Sequence, residues 1–370
     1  MAAVRDLLAF EGQELRAGRP QSGIVNLPNH SQGENPASVR EAGSSRVANA
    51  YAAISTGAGI ATLDDRLIVR VSGDDRIPFM HGMCSNDIKG LATGAVSPAL
   101  ILTEHAHIIA DFFVYADADA LRIEIDRTLW ATARAHLEKF LVADDVEFDE
   151  LDGLGVLDLE GPAAAGMVAT VAGDLALSLP PWRHAESADI RVANLPRCGG
   201  PAFTVLIERE RIAPMIESLR ERGAAAGIRE IAQVNADALE IVRVEHGIAR
   251  VGIDTTEKTI ALEARLDSAI SFSKGCYLGQ ETIERATARG GLKKKLFGLR
   301  LDGNRLPAAG GAIVLDGKEV GRLTSVVHSP RSGIIGLSIL HHSAWQARTR
   351  VTIANAGAEV AAIVCELPFA

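Results

Sequence analysis

The sequence predicts an α+β protein built mostly from antiparallel sheets, with an all-β barrel at its C-terminal end. Three observations predict it. Strand patterns between residues 99 and 125 follow one another through short turns, the arrangement of an antiparallel meander. Helical and strand patterns then alternate irregularly, with no G-x-G-x-x-G after a strand and no Walker-type phosphate loop. After Gly291 only short strand patterns remain, separated by Gly, Asp, Asn and Pro turns.

Taken in order, residues 4–15 suit one short amphipathic helix, and 17–49 are rich in Gly, Pro, Ser and Asn, the composition of an extended arm draped over a domain or of a partly disordered leader. Order is expected from Tyr51. Residues 62–73 alternate as a strand does, and 74–84 repeat apolar residues at helical spacing. Ser85-Asn86-Asp87-Ile88 carries the short polar side chains of a turn or helix cap. Strands follow at 99–104, 108–115 and 121–125. Within the second of these, Asp111 interrupts an apolar run, where a carboxylate is costly if both faces are buried. It faces solvent or it serves a site.

Residues 129–141 read as an amphipathic helix, 155–160 as a strand stopped by Gly161-Pro162, and 163–172 as a helix of small residues ending at Gly173. Strands at 190–195 and 203–207 and helices at 212–225 and 236–245 complete this part. Barrel strands are expected at 295–301, 312–315, 319–328, 334–340, 350–354 and 358–366. Four segments result: a leader over 1–50, a first folded part over 51–150, an α+β part over 151–290, and the barrel over 291–370.

With 370 residues, 47% of them hydrophobic, the chain can bury a large core. Its net charge of −9 argues against sequence-specific nucleic acid or an anionic membrane as partner. No apolar run reaches membrane-spanning length. Cys84, Cys198, Cys276 and Cys365 are widely spaced, with no C-x-x-C and no zinc-like His/Cys pattern. Reduced thiols in a cytoplasm, and no metal site, are the expectation.

The densest chemistry lies in Ser271-Phe272-Ser273-Lys274-Gly275-Cys276-Tyr277-Leu278-Gly279-Gln280-Glu281, which runs into a helical pattern through Arg289. Gly275 and Gly279 allow sharp turns on both sides of the thiol. Glu281 and Arg285 form an i,i+4 pair, and Gly290-Gly291 supply a stop. This places Cys276 just before a helix N-terminus, where free amide N–H groups and Lys274 would favour a thiolate. Arg289 and Lys293 to Lys295 form a basic cluster, a solvated turn or a seat for an anionic tail.

Lys-Gly-Cys-Tyr-x-Gly-Gln-Glu, with the Ser-Phe before it and the basic run after it, resembles the signature of the folate-binding YgfZ/Iba57 proteins. These are relatives of the glycine-cleavage T-protein, an aminomethyltransferase. Phe79-Met80-His81-Gly82-Met83-Cys84-Ser85-Asn86-Asp87-Ile88 is similar to the family's Phe-Leu-Gln-Gly-x-x-Thr-Asn-Asp-Val segment. Arg243-Val244-Glu245-His246-Gly247-Ile248 resembles its Arg-x-Glu-x-Gly-x segment. The resemblance implies a three-domain cloverleaf around a tetrahydrofolate cavity, capped by the barrel. It implies Cys276 and Asp111 as reacting groups, and Asn86, Asp111, Glu245, Lys274, Tyr277, Gln280 and Arg289 as folate contacts. It also implies support of iron–sulfur protein assembly or repair, with client or assembly proteins as partners, because one cysteine cannot hold a cluster alone.

Two departures separate the branches. T-proteins carry Ile-Asp-Asp on a strand, the first Asp assisting transfer of the aminomethyl carbon, where this chain has Ile109-Ala110-Asp111. Their Tyr-Glu-Ile, whose acid binds the pterin, is Phe203-Thr204-Val205 here. Both departures favour the YgfZ-type reading. Folate-dependent one-carbon transfer through Asp111 is the alternative, and a diverged scaffold without folate the third possibility.

Overall fold

The computed structural model describes residues 36–187, 189–288, 291–355 and 358–369. The helix expected at 4–15 and Arg289 lie outside the described residues. A helix, α1 (Pro36–Thr56), stands where an arm was expected up to residue 49. Proline suits a first helical turn, and the alanines near its C-terminal end are strong helix formers.

The chain continues through β1 (Ala58–Thr62), β2 (Arg66–Ser72), α2 (Arg76–Met83), β3 (Val96–Leu102), β4 (Ile108–Ala116), β5 (Leu121–Asp126), α3 (Arg127–Glu138), β6 (Glu147–Glu150) and β7 (Leu154–Glu160). Next come α4 (Ala164–Ala172), α5 (Leu175–Ser178), β8 (Arg183–Ser187), β9 (Ile190–Asn194), β10 (Ala202–Glu208), α6 (Ile212–Ala225), β11 (Ile231–Gln233) and α7 (Ala236–His246). After α8 (Gln280–Ala288) the C-terminal part holds β12 (Lys294–Leu301), β13 (Ala312–Leu315), β14 (Lys318–Arg322), β15 (Ser325–Ser329), β16 (Gly333–His341), β17 (Arg350–Asn355) and β18 (Ala358–Cys365).

Three sheets result, with strand orders β3-β4-β5-β2-β6, β11-β1-β7-β10-β9-β8 and β14-β13-β17-β18-β12-β16-β15. Every registered pair is antiparallel except β1 with β11. The predicted α+β class with antiparallel sheets and a C-terminal barrel therefore holds. β14 lies back against β16, which curls the third sheet. The expected strand at 62–73 is two strands in different sheets, because Asp64-Asp65 make a turn between β1 and β2. The expected strand at 319–328 likewise divides between β14 and β15.

The register of β4 positions the site. Ala110, Phe112 and Val114 point into an apolar core with Met80 of α2 and Trp130 of α3. Ile109, Asp111 and Phe113 occupy the opposite face and are only partly buried. The first two sheets meet through Ile68, Tyr115, Val156 and Leu206. No described helix is long and apolar enough to cross a membrane.

Candidate functional site

A cavity of about 490 Å³ lies against the open face of β4. Asp111 and Phe113 come from that strand, Trp182 from the segment before β8, and Gly247 to Arg250 from the loop after α7. The backbone turns there because Gly247 takes φ +70 and closes α7 in the left-handed region. Arg66, Arg197, Arg250 and Arg265 also line it, so positive charge dominates. This volume is in the usual range for small-molecule sites.

Asp111 is half-buried, and its carboxylate has no side-chain hydrogen bond among the described residues. Burial raises its pKa, against the opposing pull of the Arg66 guanidinium. A carboxyl group held in this way moves a proton nearer neutral pH than an exposed one does.

Behind the cavity wall, Glu124 of β5 is fully buried and joins the two sheets electrostatically. It accepts from Tyr115 at 2.6 Å and pairs with Arg66 at 3.1 Å and Arg197 at 2.9 Å. Burial alone would raise its pKa, but the guanidinium groups of Arg197 and Arg66 hold it at about 2. Arg197 also donates to Thr204 at 2.9 Å and to Asp158 at 3.4 Å. Next to Asp158, burial pushes the Glu160 carboxyl up to about 9, so Glu160 is neutral at pH 7.

The Cys276 segment lies elsewhere, folded over the end of α2. Ser271 N–H donates to the Ser85 carbonyl at 3.0 Å, and Leu278 N–H to that of Gly82 at 3.2 Å. Gly279 takes φ +89, and a Cβ there would come within 2.7 Å of the Thr103 carbonyl, so this approach needs glycine. The Lys274 ammonium donates to the carbonyls of His81, Cys84 and Asn86 and lies 4.8 Å above the Tyr277 ring. All three of its N–H groups are thereby committed, leaving none for Cys276.

Tyr277 is buried in the core beneath the barrel, where burial pushes its phenol up to about 12. Gln280 donates to Glu284 along α8 at 2.6 Å. Asn86 ties the carbonyls of Pro98 and Ser268, two cavity-lining residues, from outside the wall. Glu245 is turned away from the cavity, accepting from Tyr51 at 2.9 Å and from Ser329, while its carbonyl accepts from Phe369 N–H at 2.8 Å.

Of the expected site residues, then, Asp111 lines the cavity, Asn86 braces it, and Glu245, Lys274, Cys276, Tyr277 and Gln280 lie outside it. Sequence reasoning missed Arg66, Arg197, Trp182 and Glu124. Glu124 carried the same signal as Asp111, an acid inside an apolar strand. Among the described residues, no cluster of three or more His, Cys, Asp or Glu side chains is placed to hold a metal ion.

The anchoring of Lys274 has a measurable consequence. Lys274→Met strands three carbonyls at the end of α2, an expected loss of about 1–3 kcal/mol. Urea denaturation would detect it, and an unchanged midpoint would show that solvent replaces the ammonium there.

Residues 23–274 match the model described as the GCVT N-terminal domain, and 294–370 the one described as the glycine cleavage T-protein C-terminal barrel domain. The chain is 29% identical over 309 residues to a chloroplastic protein of Arabidopsis thaliana carried under the name of a transferase without a stated substrate, covering 81% of this chain and 68% of that one. It is 27% identical over 297 residues to an aminomethyltransferase of Rubrobacter xylanophilus, covering 78% of this chain and 77% of that one. The crystal structure of glycine cleavage system aminomethyltransferase T from Bartonella henselae superposes with a TM-score of 0.79 at 21% identity, over 88% of this chain and 89% of that one.

Proposed function

The chain belongs to the glycine cleavage T-protein family, and from that premise we propose that it binds a reduced folate in the cavity and carries out one-carbon chemistry at Asp111. The observation that carries the reading is the placement of Asp111, an unpartnered, half-buried carboxylate aimed from β4 into a cation-lined cavity.

The Ile109-Ala110-Asp111 departure weighs less than its sequence suggests. Ala110 is fully buried on the core side of β4. A carboxylate at 110 would enter that core, whereas Asp111 is the residue that faces the ligand.

The donor set fits a folate. Phe113 and Trp182, with ring centroids 6.1 Å apart, offer flat apolar faces to a ring system. Arg250 and Arg265 offer positive charge to an anionic tail. Tetrahydrofolate, when bound, supplies secondary amine nitrogens that take up a one-carbon unit. Asp111 can hold or release a proton beside them, and the apolar walls exclude water. Titration with tetrahydrofolate should quench tryptophan emission in a saturable 1:1 manner, with the change lost in Trp182→Phe. No saturable binding would end this reading.

A second function rests on Cys276. We propose that the chain is of the YgfZ type and that this thiol supports iron–sulfur proteins in a reducing cytoplasm. Cys276 is exposed, while Cys84 and Cys198 are buried. The exposed Phe272 is on the same loop, and Gly275 has open space around it. A soft sulfur ligand suits iron or thiol exchange, with the remaining ligands coming from a partner. Cys276→Ala should fail to restore iron–sulfur enzyme activity in cells lacking the protein, while tetrahydrofolate affinity stays unchanged. Full restoration would remove the thiol from the function.

A further inference from the structure

Five arginines line the cavity, and each is tied to an acid other than Asp111. Arg243 pairs with Asp254 at 2.7 Å, Arg250 with Asp65 at 3.3 Å and Arg265 with Glu366 at 3.0 Å. Arg66 and Arg197 share the fully buried Glu124, at 3.1 and 2.9 Å. Asp111 is left without a salt bridge among the described residues, although cations surround it.

The ties are not equivalent. Asp65 and Glu366 are exposed, so their pairs are weak and can yield to an incoming anion. Glu124 is fixed, because it is sealed from solvent and also accepts from Tyr115. It clamps Arg66 twice, through its carboxylate on Nε and through its carbonyl on Nη2 at 3.2 Å. Of the charges facing Asp111, Arg66 of β2 pulls hardest, ahead of Asp126 at the end of β5 and Arg250 after α7. The paired strand β3 brings only Pro98, Ala99 and Leu100 to this wall, none of them charged, and His246 keeps its Nδ1 on the Val242 carbonyl.

Resting on the reading that Asp111 handles a proton in this cavity, we propose that Glu124 is a positioning residue: by holding Arg66 and Arg197 at the back of the wall, it keeps Asp111 unpaired and available to take a proton. Without that anion, Arg66 would turn to the remaining acid within its reach. An arginine against Asp111 would hold it as a carboxylate to lower pH and make it a poorer base.

The test follows the Asp111 carboxyl carbon by NMR in the full chain labelled with ¹³C-aspartate, the signal being identified by its loss in Asp111→Asn. In the wild type its titration midpoint should lie above the ordinary 3.8. In Glu124→Gln it should fall by about one pH unit or more. Adding Arg66→Met should raise it again, by more than the same change does in the wild type, because only a released Arg66 reaches Asp111. An unmoved midpoint in Glu124→Gln overturns the proposal. So does an Arg66→Met effect of equal size in both backgrounds, since Glu124 would then act only as a distant charge. If Glu124→Gln does not fold, the wild type decides alone, and a midpoint at or below 3.8 overturns the proposal. No folate enters the measurement, so its failure leaves folate binding standing, and a protein that binds no tetrahydrofolate fails the folate reading instead.

Discussion

Glu124→Gln should destabilise the protein by roughly 3 kcal/mol at pH 7, because it removes the buried anion on which two partly buried guanidinium groups converge. The size follows from the displacement of the Glu124 carboxyl from its ordinary 4.5 to about 2. Gln keeps the shape and one acceptor for Tyr115, so the loss reports charge rather than a cavity. The pH dependence has a definite sign. A depressed folded-state pKa contributes stability that is complete above the unfolded value, near 4.5, and is lost as pH falls through about 2. The gap between the wild type and Glu124→Gln should thus be constant from pH 5 to pH 8 and close as pH drops from 4.5 toward 2. Urea denaturation across that range would measure it. A gap below 1 kcal/mol, or one independent of pH, would mean that Arg66 and Arg197 are neutralised in another way.

The same network shows what sequence could and could not reveal. The acid inside the apolar pattern of β4 was visible as an anomaly, the one in β5 carried the same signal and was missed, and β4 alternation was legible enough to put Asp111 and Ala110 on opposite faces. Which face looks onto the cavity was not legible, because α2 and α3 decide it by covering the Ala110 side.

The cavity itself draws on residues from Leu63 to Pro368. Contacts of such separation follow from sheet order, and β1 pairing in parallel with β11 has no local signal. The Cys276 segment was legible as a glycine-framed loop leading into α8. Its electrostatics were misjudged, since proximity in sequence suggested that Lys274 serves the thiol, while the carbonyls ending α2 claim the ammonium. Glu245 illustrates the same limit. Motif membership suggested a ligand contact, yet its hydrogen bonds tie α7 to α1 and to the barrel.

Asp111→Asn should keep tetrahydrofolate binding and reduce transfer from an aminomethyl or N-methyl donor by 10²–10⁴-fold, the usual contribution of a positioned acid or base. The substitution preserves size and hydrogen-bonding reach but removes the ability to move a proton. Stability gives a second, independent reading. Burial raises the Asp111 pKa, so in the wild type the associated stability is complete below the unfolded value, near 3.8, and is lost as pH rises through the folded one. Asn does not titrate. The variant should therefore be more stable than the wild type at pH 7 and lose that advantage on acidification to 3.8, as expected when a site retains an unfavourable charge for function. Loss of turnover together with this gain would assign Asp111 to chemistry. The gain without any turnover in the wild type would leave Asp111 as a binding group only, and the proposed function would then rest on Cys276, which does not line the cavity.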